Sequence, residues 1–428
     1  MGESTPTLTG GDDGSESAMA SAGPMLDLIS TCAEERRDRM TKLRRRLHAT
    51  PEPAHAEHET TRLVAETLSE RGLEPRVMSD GVGVIADLDL GAASGSMIAL
   101  RSELDCVAVN DDKQVPYAST HPGLCHACGH DVHTTILLAV ASLVSEQAGV
   151  LRANGKFAHN LRFIFQPAEE TATGARAMIK QGALSGVEAI LAVHADPFLD
   201  VGRLGFRKGA LTSACKAFEV TIRGRSGHTA RPFEAIDPIP AATTVIDLFY
   251  QLGPRSIDSR YPLSLTVASI QSGMSCNAIP DRAVIQGTMR ASRLVDLEAV
   301  QRRMQAVVNG AADATGCDIT LEFHHSCPAT DNDGRVIDAM AKATTEIIGP
   351  DAVEWLEVPS LGGEDFAFYQ ELIPGAMLRL GAGLPDTRAR RPLHSSLFDV
   401  DENCLLVGTK ALAWSALQLA MSVGMEHM

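Results

Sequence analysis

The chain has 428 residues, a formal net charge of −16, 44% hydrophobic residues and only 4% aromatic residues. This length exceeds what one small core needs and predicts two domains, while the composition is typical of a soluble globular protein. The acidic balance argues against nucleic acid or an anionic membrane surface as the main partner.

The nine cysteines are scattered along the chain, without the even count and regular spacing of a disulfide framework. Free thiols are typical of a reducing compartment. We identify neither a leader with a charged and then an apolar region nor an apolar run of membrane-spanning length. The sequence therefore predicts a cytoplasmic protein with no membrane partner.

The amino-terminal part predicts a leader followed by helices and strands. Residues 1–24 are rich in Gly, Ser, Thr and acidic residues and predict a disordered leader. Apolar spacing then predicts helices at about 25–47 and 57–71 and another from about Asp131. Strands are predicted at 83–88, 96–100, 161–165 and 189–193. Strands that alternate with helices indicate an α/β layered fold, whose ligands gather at the carboxyl ends of strands.

A different pattern occupies residues 213–327, where strand, helix, strand, strand, helix and strand follow one another. Its predicted elements are 218–222, 239–252, 263–270, 283–289, 294–310 and 318–323. We interpret this unit as a self-contained α+β sandwich inserted into the first domain. The first domain is then discontinuous, with parts at 25–212 and 328–428. Its second part is predicted to contain a helix at 336–348, a strand at 376–380 and a terminal helix at about 401–423.

The segment His121–His133 concentrates two cysteines, four histidines and one aspartate in thirteen residues. Cys128 and His130 are separated by Gly129, so a turn can bring both side chains to one side. A thiolate and a neutral imidazole suit Zn²⁺ or a similar divalent ion. The donors would lie at the amino end of the helix that follows, where the helix dipole favours negative charge and would help to keep Cys128 ionised. The alternative is a set of ordinary buried thiols and histidines, and donors elsewhere in the chain argue against it.

Further donors follow predicted strands. Glu169 and Glu170 come just after one buried strand and His194 just after another, while His394 lies on a loop before the last helix. Two adjacent carboxylates can take different roles, because one can ligate a metal while the other accepts a proton. With Cys128 and His130, the donors Glu170, His194 and His394 make five, enough for two ions if one donor bridges.

Five motifs, taken together, resemble the aminoacylase and carboxypeptidase-like metallohydrolases, in the branch of hippurate hydrolase, N-acyl-amino-acid amidohydrolases and auxin-conjugate hydrolases. They are His126-Ala-Cys-Gly-His-Asp131, Phe165-Gln-Pro-Ala-Glu-Glu170, Asn277-Ala-Ile-Pro-Asp281 with Gly287-Thr-Met-Arg290, Gly363-Glu-Asp-Phe366 and the loop around His394. The resemblance runs from about Arg45 to the end of the chain. It implies a mixed-sheet α/β/α metallopeptidase-like catalytic domain with an inserted α+β sandwich that serves as lid and dimerisation domain.

The resemblance also implies a ligand set. Cys128 would bridge two divalent ions, Mn²⁺ or Zn²⁺. His130 and His194 would complete one site, and Glu170 and His394 the other.

Roles beyond the ligands are implied in the same way. Glu169 would be the general base on a bridging water, and Asp105 would orient the site from behind the ligands. His228 of the lid would polarise the scissile carbonyl in the site of the partner subunit of a homodimer. Asn277 and Arg290 would hold the carboxylate of the substrate, a task suited to a guanidinium group.

The sequence departs from the family pattern in three respects. Glu103 stands where an aspartate is usual, and Cys106 and Ala108 replace smaller or proline residues nearby. Because Asp105 is retained, these changes predict altered packing behind the ligands and no loss of metal. Phe233 stands where a histidine commonly follows the proline, which predicts altered substrate preference.

The expected reaction is hydrolysis of the amide in an N-acyl or aroyl amino acid. Three alternatives remain open: a carboxypeptidase or dipeptidase acting on short peptides, a catalytically silent binding subunit, and a structural zinc protein.

Overall fold

The computed structural model describes residues 14–422 of the chain. Residues 1–13 of the predicted leader lie outside that range, and helix α1 begins at Gly14, ten residues before the leader was expected to end. The single helix predicted at about 25–47 is two helices, since the chain turns at Glu35 and Arg36. The turn lets the first helix pack on the terminal helix and the second on the helix that follows the cysteine-histidine segment.

The described residues form eleven α-helices, three single 3₁₀ turns and sixteen strands. The helices are α1 Gly14–Glu34, α2 Arg37–Ala49, α3 His58–Ser69, α4 His130–Glu146, α5 Ala148–Asn154, α6 Gly174–Lys180, α7 Pro238–Ser256, α8 Leu294–Thr315, α9 Gly334–Ile347, α10 Ala367–Gln370 and α11 Cys404–Met421. The 3₁₀ turns are Pro232–Glu234, Pro350–Ala352 and Thr387–Ala389. The strands are β1 Arg76–Val77, β2 Val84–Leu88, β3 Met97–Glu103, β4 Asn160–Gln166, β5 Val187–Asp200, β6 Leu204–Phe206, β7 Gly209–Ala210, β8 Ala214–Arg223, β9 Gly227–His228, β10 Leu263–Ser272, β11 Ala278–Ile279, β12 Arg282–Ala291, β13 Asp318–Cys327, β14 Asp331–Asn332, β15 Val353–Trp355 and β16 Gly375–Gly383.

The larger sheet has eight strands in the order β1-β2-β4-β3-β5-β16-β6-β15. Its centre, β4-β3-β5-β16, is parallel, while β2 and β6 join antiparallel. Successive strand residues face opposite sides of a sheet. One side packs on α1, α3, α4, α9 and α11, and the other on α6 and α10. The predicted mixed-sheet α/β/α architecture is therefore confirmed.

The second sheet has four antiparallel strands in the order β10-β12-β8-β13. Helices α7 and α8 lie along it, and their apolar faces share one core with β8 and β12. All of these elements come from the stretch predicted as an inserted α+β sandwich. Beside the sheet, β9 and β11 pair as a separate two-stranded ribbon.

Helix α11 is mostly apolar, with Lys410 as its one charged residue. By length and composition alone it could cross a membrane, with a mean hydropathy of 1.4, and the bent pair α4 and α5 passes the same test jointly. The expectation that no such run exists was therefore wrong. However, 78% of that stretch is buried inside the fold, where α11 packs on α4 and α9. An all-round apolar helix is what the core of a large layered protein requires.

Candidate active site

The central parallel strands bring the predicted site residues to one edge of the sheet. β3 ends at Glu103 shortly before Asp105, and β4 ends at Gln166 shortly before Glu169. His194 was expected just past a strand, but β5 continues through it to Asp200. Pairing between β3 and β5 stops at Ala192, so His194 lies beyond the end of the neighbouring strand.

A turn at Gly129 presents Cys128 and His130. Gly129 has a φ of +87° and precedes α4, which begins at His130; an added Cβ would lie 3.1 Å from Cβ of Ala195. Only glycine suits both the left-handed backbone and the close approach. Sγ of Cys128 lies 3.7 Å from Nε2 of His194.

In both His130 and His194, a hydrogen bond from Nδ1 determines which ring nitrogen carries the hydrogen in the neutral ring. Nδ1 of His130 donates to the carbonyl oxygen of Asp105 at 2.9 Å, and Nδ1 of His194 donates to that of Ala195 at 2.9 Å. When the ring is neutral, Nε2 therefore carries the lone pair that a metal ligand requires.

All five predicted donors converge on two groups that share one sulfur. Cys128, His130 and His194 form one group and Cys128, Glu170 and His394 the other, and within each group the donor atoms lie within 4.8 Å of one another. The backbone N–H of His394 donates to the carbonyl oxygen of Ala127 at 2.8 Å, and His394 has a left-handed φ of +66°. Such strain is typical of functional sites.

The donor groups fit divalent cations. Nε2 of His130 is buried without a hydrogen-bond partner among residues 14–422 and lies 4.0 Å from Oε1 of Glu170. A buried, unsatisfied lone pair aimed at a carboxylate is costly unless a cation lies between them. Burial, together with Glu170, raises the pKa of the Cys128 thiol. Desolvation outweighs any help that the helix dipole gives to the thiolate, so a bound cation is needed to keep Cys128 ionised.

Glu169 is buried beside the donor groups. Its Oε2 lies 3.8 Å from Nε2 of His130, and its Oε1 accepts a hydrogen bond from the backbone N–H of Asp365 at 3.3 Å. Burial raises the pKa of Glu169 well above its usual range, and the negative charges of Glu364 and Asp365 add to the effect. A carboxylate with a raised pKa is suited to accept and return a proton near neutral pH.

Asp105 and Glu103 support the site from behind. Oδ2 of Asp105 accepts a hydrogen bond from the backbone N–H of Glu170 at 2.9 Å. Glu103, which departs from the family pattern, pairs with Arg101 and accepts from Nδ1 of His133 at 2.7 Å. Nε2 of His133 in turn accepts from the backbone N–H of Ala195 at 2.8 Å. The longer glutamate thus links β3 to the strand that carries His194.

A cavity of about 860 Å³ opens over these residues, between the larger sheet and the inserted sandwich. Arg290, at the end of β12, lines the cavity and donates through Nη1 to the carbonyl oxygen of Leu361 at 2.9 Å. His228 and Asn277 lie on the β9–β11 ribbon, exposed and outside the cavity lining of their own chain. Asn277 and Arg290, predicted to share one carboxylate, do not line the same cavity within one chain, because the ribbon adjoins the start of β12 whereas Arg290 lies near its other end. Phe233, the departure from the family pattern in the inserted sandwich, is 81% exposed.

One cavity residue escaped the sequence reasoning. Arg379 lies in the middle of β16 and lines the cavity together with Cys128 and Glu169. The signal was present, since a charged residue inside the otherwise apolar run Ala376–Leu380 is unusual in a buried strand.

Known proteins share this architecture and sequence. The sequence model of peptidase family M20/M25/M40 matches residues 99–418. The chain is 35% identical over 379 residues to N-acetylcysteine deacetylase of Bacillus subtilis strain 168, spanning 88% of this chain and 95% of that one. It is 32% identical over 393 residues to IAA-amino acid hydrolase ILR1-like 4 of Arabidopsis thaliana, spanning 90% and 87%.

Among solved structures, the chain superposes on the Bacillus subtilis YXEP protein, a dinuclear metal-binding peptidase of the M20 family, with a TM-score of 0.77 and 31% identity over 91% of this chain and 100% of that one. The resemblance inferred from the motifs is confirmed. The chain belongs to peptidase family M20/M25/M40 and is a hydrolase of amide or peptide bonds.

Proposed function

We propose that this protein is a two-metal amidohydrolase that cleaves N-acyl or aroyl amino acids to a carboxylic acid and a free amino acid. The observation that carries the proposal is the convergence of two donor groups on the shared sulfur of Cys128, with Glu169 buried beside them. The similarity to a deacetylase of N-acetylcysteine and to a hydrolase of auxin conjugates favours this substrate class.

Two divalent cations would be held by these groups. Cys128, His130 and His194 would hold one ion, and Cys128, Glu170 and His394 the other. Thiolate softness favours Zn²⁺, whereas Mn²⁺ is the alternative that the resemblance suggests. Bound divalent cations acidify water and polarise a carbonyl group, which is the chemistry that amide hydrolysis needs.

The protein residues would then move one proton and orient the substrate. Glu169 takes the proton of the attacking water and, once protonated, delivers it to the leaving amine. Arg290 holds the carboxylate of the amino acid with its guanidinium group. His228 of the partner subunit donates a hydrogen bond to the developing oxyanion, and Asn277, on the same ribbon, would enter the same site.

The test is kinetic and analytical. Metal content is measured by elemental analysis, and hydrolysis is followed on N-acetyl, N-benzoyl and dipeptide substrates with and without chelator. Glu169→Gln is expected to retain the metal and to lose roughly a hundredfold to ten-thousandfold in kcat. Glu371→Gln, an exposed change on the surface, serves as the matched control. An unchanged rate in Glu169→Gln would refute the proposal and favour a structural metal site.

A further inference from the structure

The guanidinium of Arg379 has no task in the proposed reaction. Arg379 is 9% exposed and lines the cavity that contains Cys128 and Glu169. Within the described range 14–422, its guanidinium forms neither an ion pair nor a hydrogen bond. Asp196, which lines the same cavity, instead accepts from the backbone N–H of Phe198 at 2.9 Å.

The direction of Arg379 follows from strand register. In the parallel pair β5–β16, Arg379 lies opposite His194, so both side chains leave the same face of the sheet. Two residues earlier, Met377 and Ala192 share one apolar cluster on that face. The guanidinium is therefore close to the donor groups.

A buried guanidinium without an anion is costly, and arginine does not escape the cost by losing its proton. The other deeply buried arginines obey this rule. Arg44 pairs with Asp131 at 2.8 Å, and Arg101 pairs with Asp365 at 2.6 Å. Arg379 differs from these two arginines because it has no carboxylate partner in the described residues and lines the cavity. An anion that pairs with it must therefore come from a bound molecule.

The cavity lining thus includes two cations from different sheets, Arg290 near the end of β12 and Arg379 on β16. If Arg290 holds the α-carboxylate, Arg379 is left for a second anion. If Arg290 holds the amino acid, the acyl arm on the other side of the scissile bond faces the sheet wall, where Phe198 is 60% exposed in the same cavity. That side chain offers an apolar surface to methylene groups.

We infer that Arg379 binds a carboxylate at the end of the acyl arm, so that the preferred substrates are amino acids acylated by a dicarboxylic acid. The inference rests on the proposed amidohydrolase function and makes Arg379 a specificity-determining residue.

The test compares kcat/KM of the metal-loaded, full-length protein on matched pairs: N-succinylalanine with N-butanoylalanine, and N-glutarylalanine with N-pentanoylalanine. Within a pair the carbon number is equal and only the terminal charge differs. In at least one pair the wild type is expected to prefer the dicarboxylic substrate by about tenfold to a hundredfold, the contribution of one charge-assisted hydrogen-bond pair.

Arg379→Met is expected to abolish that ratio, and Arg379→Lys, which keeps the charge but not the planar fork, to give an intermediate ratio. Arg388→Met, whose side chain is 89% exposed, should behave as wild type. Thermal melting verifies folding, and if Arg379→Met does not fold, the lysine variant decides the question alone. Equal rates within both pairs for the wild type, or a ratio unchanged by the substitution at 379, would overturn the inference and leave amide hydrolysis standing.

If no substrate of either pair is hydrolysed, the proposed function fails separately. Calorimetric titration of the metal-loaded protein with N-glutarylalanine then still tests Arg379. Binding at least tenfold tighter to the wild type than to Arg379→Met would support the role of Arg379, and equal binding would overturn it.

Discussion

Cys128 is the residue that the two donor groups share, and its chemistry couples metal binding to ionisation. Burial raises the pKa of its thiol, whereas a ligand sulfur must be a thiolate. Binding of a cation is therefore expected to release a proton from Cys128. The same burial keeps solvent away from His130 and His194, so that the lone pairs of both rings are reserved for a cation.

A substitution at Asp105 measures how much the residues behind the candidate ligands contribute to metal affinity. It accepts from the backbone N–H of Glu170 at 2.9 Å, and its backbone carbonyl accepts from His130 at 2.9 Å. Asp105→Asn keeps an oxygen that can accept from Glu170, but it removes the negative charge whose Oδ1 lies 3.2 Å from Nδ1 of His130. We expect metal affinity to fall by roughly tenfold to a hundredfold, measured by competition with a chromophoric chelator. Asp112→Asn, an exposed change nearby, should leave the affinity unchanged, and equal affinities in both variants would contradict the assigned role.

Among the elements, the turn after β4 depends most on its surroundings. It carries Glu169 and Glu170, and Ala168 within it has a left-handed φ of +55°. Glu57, at the start of α3, accepts from the backbone N–H of Ala168 at 2.8 Å. A conformation that a non-glycine residue rarely adopts is thus maintained by contacts from a distant helix.

Glu57 also makes stability depend on pH. Burial raises its pKa to about 7 from an ordinary 4.5, and its Oε2 is buried without a hydrogen-bond partner in the described part of the chain. Between about pH 4.5 and 7 the folded state therefore holds a proton that the unfolded state has released. The free energy of unfolding is highest below about pH 4.5 and falls as the pH rises through 7.

Glu57→Gln removes this loss while keeping the oxygen that accepts from Ala168. Above pH 8 the variant should be more stable than the wild type by about 2–3 kcal/mol, and this gain should vanish near pH 4.5. Urea denaturation across that pH range measures the difference. The exposed Glu70→Gln is the control, and parallel pH profiles for the wild type and Glu57→Gln would contradict the prediction.

Close packing at the start of α6 holds the same turn. A Cβ on Gly174 would lie 1.6 Å from the carbonyl oxygen of Pro167. Gly174→Ala is expected to lower the free energy of unfolding by at least about 2 kcal/mol and to reduce kcat, because the turn with Glu169 must move. Gly149→Ala, in α5 and with open space around the new methyl group, should be neutral or stabilising by up to about 1 kcal/mol. Denaturant unfolding compares the two, and equal stabilities would refute the packing argument.

At the scale of the whole molecule, the exposed ribbon with His228 raises the question of assembly. His228 and Asn277 lie together and outside the cavity lining of their own chain. In the proposed homodimer each subunit supplies this ribbon to the site of the other. A subunit on its own would then lack the hydrogen bond to the oxyanion.

Complementation tests this arrangement. Glu169→Gln and His228→Ala should each be nearly inactive alone. After exchange of subunits in an equal mixture, half of the dimers are mixed and one of their two sites is intact, so about a quarter of the wild-type activity should return. Each variant mixed with itself is the control. No recovery, despite mass-spectrometric evidence of subunit exchange, would show that His228 does not act across the interface.

Local sequence patterns were enough to predict the layered fold and part of the candidate ligand set. Alternation and helical spacing depend on neighbouring residues, so all four strands of the smaller sheet and the five longest strands of the larger sheet were recognised, whereas the short strands β1, β6 and β15 were not. Cys128 and His130 follow one turn, and Glu169 and Glu170 follow one strand, so their chemistry is visible in short segments. Family motifs linked these segments to His194 and His394, which no local rule would have joined.

Tertiary structure alone decided which charges are compensated. Arg379, Glu57 and Glu103 are ordinary charged residues in the sequence, but packing leaves the first unpaired in a cavity, buries the second against a strained turn and places the third between Arg101 and His133. The separation of Asn277 from Arg290 likewise depends on where a ribbon folds back. Contacts between residues far apart in the chain set the burial and the partners of each charge, and these determine its energy.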